Sequence, residues 1–127
     1  MGRLVVDAMN VVGSRPDGWW RDRAAATRRL LERLQGLARS GEEVTLVVEG
    51  RAARGLPEGD HGGVLVRRAR HSGADAADDL VVELVAGDPD PASLVVVTAD
   101  RALRRRVEAL GARVGGPTEL LDRLDRG

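Results

Sequence analysis

Three apolar runs, each closing on or just before a carboxylate, restrict this chain to few folds. Arg3-Leu-Val-Val-Asp7 is a β-branched run that ends on Asp7, Val44-Thr-Leu-Val-Val48 leads into Glu49, and Ser93 to Thr98 is followed by Asp100. Unbroken apolar stretches of this length fit strands buried on both faces, which belong to parallel sheets. Val64-Leu-Val-Arg-Arg-Ala69 reads as a further strand, and Arg113-Val114 as a short edge strand.

Helical patterns fill the intervals. Ala24, Leu30, Leu31, Leu34 and Leu37 recur at helical spacing between Trp20 and Leu37, and Ser40-Gly41 closes that pattern. Asp75 to Val85 carries a second stripe of Ala76, Leu80, Val81, Leu84 and Val85, Arg101 to Leu110 a third, and Pro117 to Leu124 a last helix. The stretch after Asp7, with Asn10 and Gly13, reads as a loop, as do Ser14 to Gly18 and the Gly-rich Gly50 to Gly63. Alternating strands and helices predict a three-layer α/β/α sandwich around a mainly parallel sheet. At 127 residues the chain suits one domain spanning 1–127.

Composition removes several chemistries. Without cysteine there is no disulfide framework and no thiolate zinc site, and a reducing, cytoplasmic setting is the expectation. The longest apolar runs fall far short of the roughly 20 residues that span a bilayer, so no membrane association is expected. Twenty basic residues, all arginine, balance twenty acidic ones, so net charge does not announce nucleic acid. Genome composition is sufficient to explain arginine in place of lysine, yet arginine keeps its forked phosphate-binding geometry.

Strands of a parallel sheet point the same way, so Asp7, Glu49 and Asp100 fall at its carboxyl edge, where open α/β sheets bind ligands. Asp75, Asp78 and Asp79 open a helix, and their spacing puts Asp78 or Asp79 on the face of Asp75. Acids in a first helical turn also complement the macrodipole, and a lone aspartate after a strand is an ordinary turn residue. Neither alternative accounts for acids from separate strands arriving at one edge. Crowded carboxylates raise one another's pKa unless a cation lies between them, and Mg²⁺ and Mn²⁺ favour such oxygen ligands. The chemistry that follows is phosphodiester hydrolysis. A Walker phosphate loop, a dinucleotide fingerprint and a nucleophile-elbow serine are all missing from the sequence. His61 and His71 read as surface residues without an assigned role.

Val6-Asp7-Ala8-Met9-Asn10-Val11-Val12-Gly13 resembles the opening signature of the NYN-domain, YacP-like proteins of the PIN-like nuclease superfamily. Asp75-Ala-Ala-Asp78 looks like the family's central acidic motif, and Val95-Val-Val-Thr98-Ala99-Asp100-Arg101 like its late strand ending in Thr-x-Asp. The resemblance implies a PIN-like sandwich and metal-dependent endoribonuclease activity with Mg²⁺ or Mn²⁺. It implies Asp7, Asp78 and Asp100 as metal ligands, Asp75 completing the acidic pocket, Asn10 orienting a ligand or scissile phosphate, and Thr98 supporting the site by hydrogen bonding. Glu49 departs from the pattern, standing where Asp-Gly is expected, and Asp79 adds a carboxylate beside Asp78.

RNA is the expected partner. Arg15, Arg51, Arg54 and Arg101 surround the acidic edge and, with Thr98, are the expected substrate-binding residues. Trp19 and Trp20 stand at the start of the first long helix, where a tryptophan can stack on an unpaired base. Adjacent helical residues point about 100° apart, so one packs while the other is exposed, and Trp20 is expected to pack. A non-catalytic RNA-binding or ribosome-associated module on the same fold is the alternative, a metal-dependent phosphatase is a third reading, and a homodimer and DNA as substrate stay open.

Overall fold

The computed structural model describes residues 2–70 and 75–127. In chain order its elements are β1 (Arg3–Asp7), α1 (Ala8–Val12), α2 (Arg23–Arg39), β2 (Glu43–Val48), β3 (Gly59–His61), β4 (Val64–Arg68), α3 (Ala76–Ala86), β5 (Leu94–Val97), α4 (Arg101–Ala109), β6 (Arg113–Gly115) and α5 (Pro117–Arg126). Short 3-10 turns lie at Trp19–Arg21, Gly50–Ala53 and Pro91–Ser93. The strands form one six-stranded sheet in the order β3-β4-β2-β1-β5-β6, parallel except for β3.

The alternation of side chains along each strand divides the interior in two. Leu4, Val6, Leu46, Val48 and Val97 face one core, which Val11, Leu30, Leu31, Leu34, Leu120 and Leu121 of α1, α2 and α5 complete. Val5, Val47, Leu94 and Val96 face the other, filled by Leu80, Val81 and Val85 of α3 and Leu103 and Val107 of α4. Both faces of the sheet are therefore covered, which explains why the central strands are apolar without interruption. The α/β class and the three-layer sandwich agree with the sequence expectation.

Two segments read as loops are ordered otherwise. Asp7 passes directly into α1, whose Ala8 and Val11 are fully buried, so the turn after β1 is helical. Within the Gly-rich stretch, β3 pairs antiparallel with β4 through Gly62 and Gly63, at φ +61° and +93°. Two positive φ values in succession suit the two-residue hairpin turn that Gly-Gly favours. The strand Gly59-Asp60-His61 lacks β-branched residues, so only the turn was visible in its sequence. Nε2 of His61 donates to the Pro57 carbonyl at 2.7 Å, which ties that residue to its own loop. His71 lies outside the described residues.

At the edge opposite the acids, Arg3 fastens three segments. Its guanidinium donates to Asp88 Oδ2 at 2.6 Å, Ser93 Oγ at 2.6 Å and Glu43 Oε2 at 2.7 Å. These bonds join β1 to β2 and to the entry of β5, fixing the register that places the strand ends together.

Candidate active site

The chain runs outward from β1 to β2 and β4, then crosses back to β5 on the other side of β1. The crevice between β1 and β5 is thus the topological switch point, the place where open α/β sheets bind ligands. Asp7 ends β1 there and is 3% exposed. A buried carboxylate needs donors. Asn10 supplies one, donating Nδ2 to Asp7 Oδ2 at 2.7 Å, and Thr98 donates its hydroxyl to the same oxygen at 3.1 Å.

These donors are themselves held. Asn10 Oδ1 accepts from the backbone N–H of Ala99 at 3.1 Å, and Thr98 Oγ1 accepts from that of Asp100 at 3.2 Å. Asp100 caps α4, its Oδ1 accepting from Leu103 N at 2.9 Å. A closed loop of hydrogen bonds therefore links β1, α1 and the turn from β5 into α4. Asn10 serves here as a positioning residue for Asp7, and Thr98, fully buried, reaches the crevice only through Asp7 and Asp100.

Asp78 approaches from α3, which packs on β1 and β2 through Ala77, Leu80 and Val81. Its carboxyl is pushed up to about 6, by burial first and then by the charges of Asp7, Asp100 and Asp75. Burial also raises Asp7, with Asp100 adding to the rise, while the bonds from Thr98 and Asn10 oppose it. The expected acids Asp7, Asp75, Asp78 and Asp100 thus share one electrostatic environment, with Asp75 exposed at the helix start.

Glu49 joins them: burial and then the charge of Asp7 raise its carboxyl. Its position just after the end of β2 is the sequence signal for this, although Glu49 stands where the family pattern has Asp-Gly. Asp79 is placed differently. Its Oδ1 lies 3.3 Å from Arg106 Nη1, so a cation of α4 already accompanies it. Asp78, its half-buried neighbour, feels the charges of Asp7 and Asp100, with Arg106 offsetting part of that effect.

Among the described residues, no group of three His, Cys, Asp or Glu side chains is gathered for an ion as it stands. The donor set nonetheless fits a hard divalent cation in kind. All its members are oxygen donors that repel one another, and Mg²⁺ commonly takes only one or two carboxylates, keeping waters and substrate phosphate for the rest.

Of the expected substrate-binding arginines, Arg51 and Arg54 are exposed in and beside the turn that follows Glu49, and Arg101 is exposed at the start of α4. Arg15 is engaged elsewhere, donating to Asp125 at 2.9 Å and Asp122 at 3.4 Å on α5. A phosphate must displace those carboxylates to reach it. The tryptophan expectation is reversed. Trp19 packs against the core, beneath the Arg23 guanidinium at 5.3 Å, whereas Trp20 is 50% exposed. The 3-10 turn at Trp19–Arg21, which precedes α2, sets these directions instead of a continuous helix.

The topology defines the class as a three-layer α/β/α sandwich around a mainly parallel sheet, with acids from several elements at the carboxyl edge. Among solved structures the chain is similar to Rae1 (YacP) from Bacillus subtilis, with TM-score 0.79 and 20% identity over 99% of this chain and 75% of that one. A mutant of the same protein gives TM-score 0.78 and 21% identity, covering 99% and 76% of the two chains. At this identity the likeness establishes the fold, which is YacP-like, as the sequence resemblance implied. No family model matches the sequence, and no curated protein matches it.

Proposed function

We propose that this chain is a metal-dependent endoribonuclease, with Asp7, Asp78 and Asp100 holding Mg²⁺ or Mn²⁺ and Asp75 and Glu49 completing the acidic rim. The observation that carries this reading is the buried Asp7, hydrogen-bonded by Asn10 and Thr98 and coupled in charge to Asp78 and Asp100 at the switch point. A fold does not by itself assign chemistry; the site does. A carboxylate cluster with raised pKa values in a crevice is the expected signature of a functional site.

Bound metal would polarise the scissile phosphate, lower the pKa of the attacking water and neutralise the leaving oxygen. The chain's own residues prepare that chemistry. Asn10 and Thr98 both donate to Oδ2 of Asp7, which fixes the orientation of the carboxylate. Asp100 is held by the first turn of α4, so its position follows the backbone. Arg101, one residue on, is available to a substrate phosphate. RNA is the proposed substrate by the family resemblance, because the contacts that separate RNA from DNA are made to the 2′-hydroxyl.

The test is cleavage of labelled RNA and DNA oligonucleotides with Mn²⁺, Mg²⁺ or EDTA, comparing wild type with Asp78→Asn and Asp7→Asn. RNA products that require metal and disappear in both variants are the expected result. A second reading, a non-catalytic RNA-binding or ribosome-associated module, draws on the loose gathering of the acids among the described residues. It predicts RNA binding without products under every metal condition.

No helix among the described residues is long and apolar enough to cross a membrane.

A further inference from the structure

A cavity of about 390 Å³ opens beside the acidic edge, between the 3-10 turn at Trp19–Arg21, the start of α2 and the turn at Gly50–Ala53. Trp20, Arg21, Arg23, Arg51 and Arg54 line it, so one half-exposed indole shares the space with four guanidinium groups. The single acid there, Asp22, uses Oδ1 to accept from Ala25 N at 3.0 Å as the cap of α2. Among the described residues none of the four arginines is paired with a carboxylate, whereas Arg3, Arg15, Arg33, Arg67, Arg106 and Arg123 are. In a chain whose charges balance overall, this is a concentrated positive patch.

The indole is held for presentation. Trp19, half-buried, packs against the core and meets Trp20 edge to face, with ring centroids 5.9 Å apart and planes at 87°. The half-buried ring thus lies directly against the exposed one. Arg23 lies over the Trp19 ring at 5.3 Å. Chain connectivity keeps the cavity near the acids, since Arg51 in its lining lies two residues beyond Glu49, which feels the charge of Asp7.

We propose that this cavity is a subsite for one unpaired nucleotide of a single-stranded nucleic acid, its base stacked on Trp20 and its phosphates held by Arg51, Arg54 and Arg21. A flat aromatic face and several unpaired arginines match a base and its two flanking phosphates, the combination by which single strands are held without reading their sequence. The subsite lies off the carboxylate crevice and would set the direction in which a strand crosses it. The assignment deepens the proposed ribonuclease reading and shares its substrate class, but it stands on different residues.

The experiment uses the catalytically disarmed Asp78→Asn background, so that binding is read without cleavage: affinity by the anisotropy of labelled oligonucleotides, and stacking by fluorescence with Trp19→Phe added so that Trp20 is the sole tryptophan. Titration with a short single-stranded RNA is expected to quench Trp20 fluorescence, while a duplex of the same sequence quenches little. Trp20→Ala should weaken single-strand affinity about tenfold and Trp20→Phe should recover most of it. Arg51→Ala with Arg54→Ala should reduce the slope of log affinity against log salt by about 1.4. Unchanged affinity in Trp20→Ala overturns the subsite, and so does an acidic peptide that quenches Trp20 as strongly as the oligonucleotide. Should the wild type fail to cleave any RNA while Trp20 is still quenched by single strands, the subsite holds and the nuclease reading falls.

Discussion

Thr98 and Asp7, 91 residues apart in sequence, share a hydrogen bond of 3.1 Å at the centre of the carboxyl edge, and both are buried. The hydroxyl donates to Asp7 Oδ2 while accepting from Asp100 N, so one oxygen couples two of the proposed ligands. Thr98→Val keeps the shape and removes both bonds, leaving a buried carboxylate oxygen and an N–H short of a partner. A loss of about 1–3 kcal/mol in unfolding free energy is expected, and the Asp7 carboxyl should titrate still higher, because the Thr98 bond holds it down. Thr98→Ser should recover most of the stability. Denaturant unfolding of the three proteins tests this, and equal stability for valine and threonine would remove the coupling role.

In the metal-free protein the acids strain the fold at neutral pH. The Asp78 carboxyl is raised from 3.8 to about 6, chiefly by burial and then by Asp7, Asp100 and Asp75. A carboxyl whose pKa is higher folded than unfolded binds protons more readily in the native state, so its contribution is fully present below about 4 and is lost as pH rises through about 6. Metal-free Asp78→Asn should therefore be more stable than wild type at pH 7 and should gain little at pH 4. Because the group is partly solvated, the expected gain is only about 1 kcal/mol. Chemical denaturation in EDTA across this range would expose the idea as wrong if the substitution destabilised the protein at pH 7.

Adjacent residues on α3 should behave oppositely in catalysis. Asp78 shares the field of Asp7 and Asp100, whereas Asp79 pairs with Arg106 at 3.3 Å on the outer side of the α3 and α4 contact. Asp78→Asn should lower metal-dependent cleavage by about a hundredfold or more, as loss of a group that stabilises developing charge does. Asp79→Asn should stay within about threefold, since an exposed ion pair contributes little. Comparable losses in the two variants, measured as kcat/KM on one RNA, would remove the distinction.

The reach of the sequence ended where geometry depended on a side chain's partner. Strand positions of Asp7, Glu49 and Asp100 were legible because buried parallel strands are apolar without interruption, and their common edge followed from parallel pairing alone. Helical spacing brought the α3 acids to that edge but left Asp78 and Asp79 equivalent, because the ion pair that Asp79 makes with Arg106 reaches it from another helix. Arg15 read as a free cation for the same reason, since Asp122 and Asp125 approach it from α5. The Trp19 and Trp20 assignment depended on a 3-10 turn whose 120° step cannot be told from an α-helical one in so short a segment. The hairpin at Gly62 and Gly63 was marked by its turn and hidden by a strand without strand-forming residues.

Divalent metal should reverse the pH trend of the free protein. The proposed ligands bind a cation only when ionised, so binding favours the same charged state of Asp78 that burdens the metal-free fold. With Mn²⁺ at about a hundred times its dissociation constant, linkage gives roughly 2.7 kcal/mol of added stability. That gain should appear at pH 7 and above and should fade as pH falls through about 6, where Asp78 takes up its proton. The Tm measured with Mn²⁺ should therefore fall onto the EDTA value as pH drops through this region, wild type gaining several degrees at pH 7.5 and none at pH 4.5. Asp7→Asn and Asp78→Asn should show no metal-dependent shift at either pH. A shift of equal size in both variants would mean that the ion binds elsewhere, and a wild type indifferent to Mn²⁺, Mg²⁺ and EDTA would leave the acids without the cation that their crowding calls for.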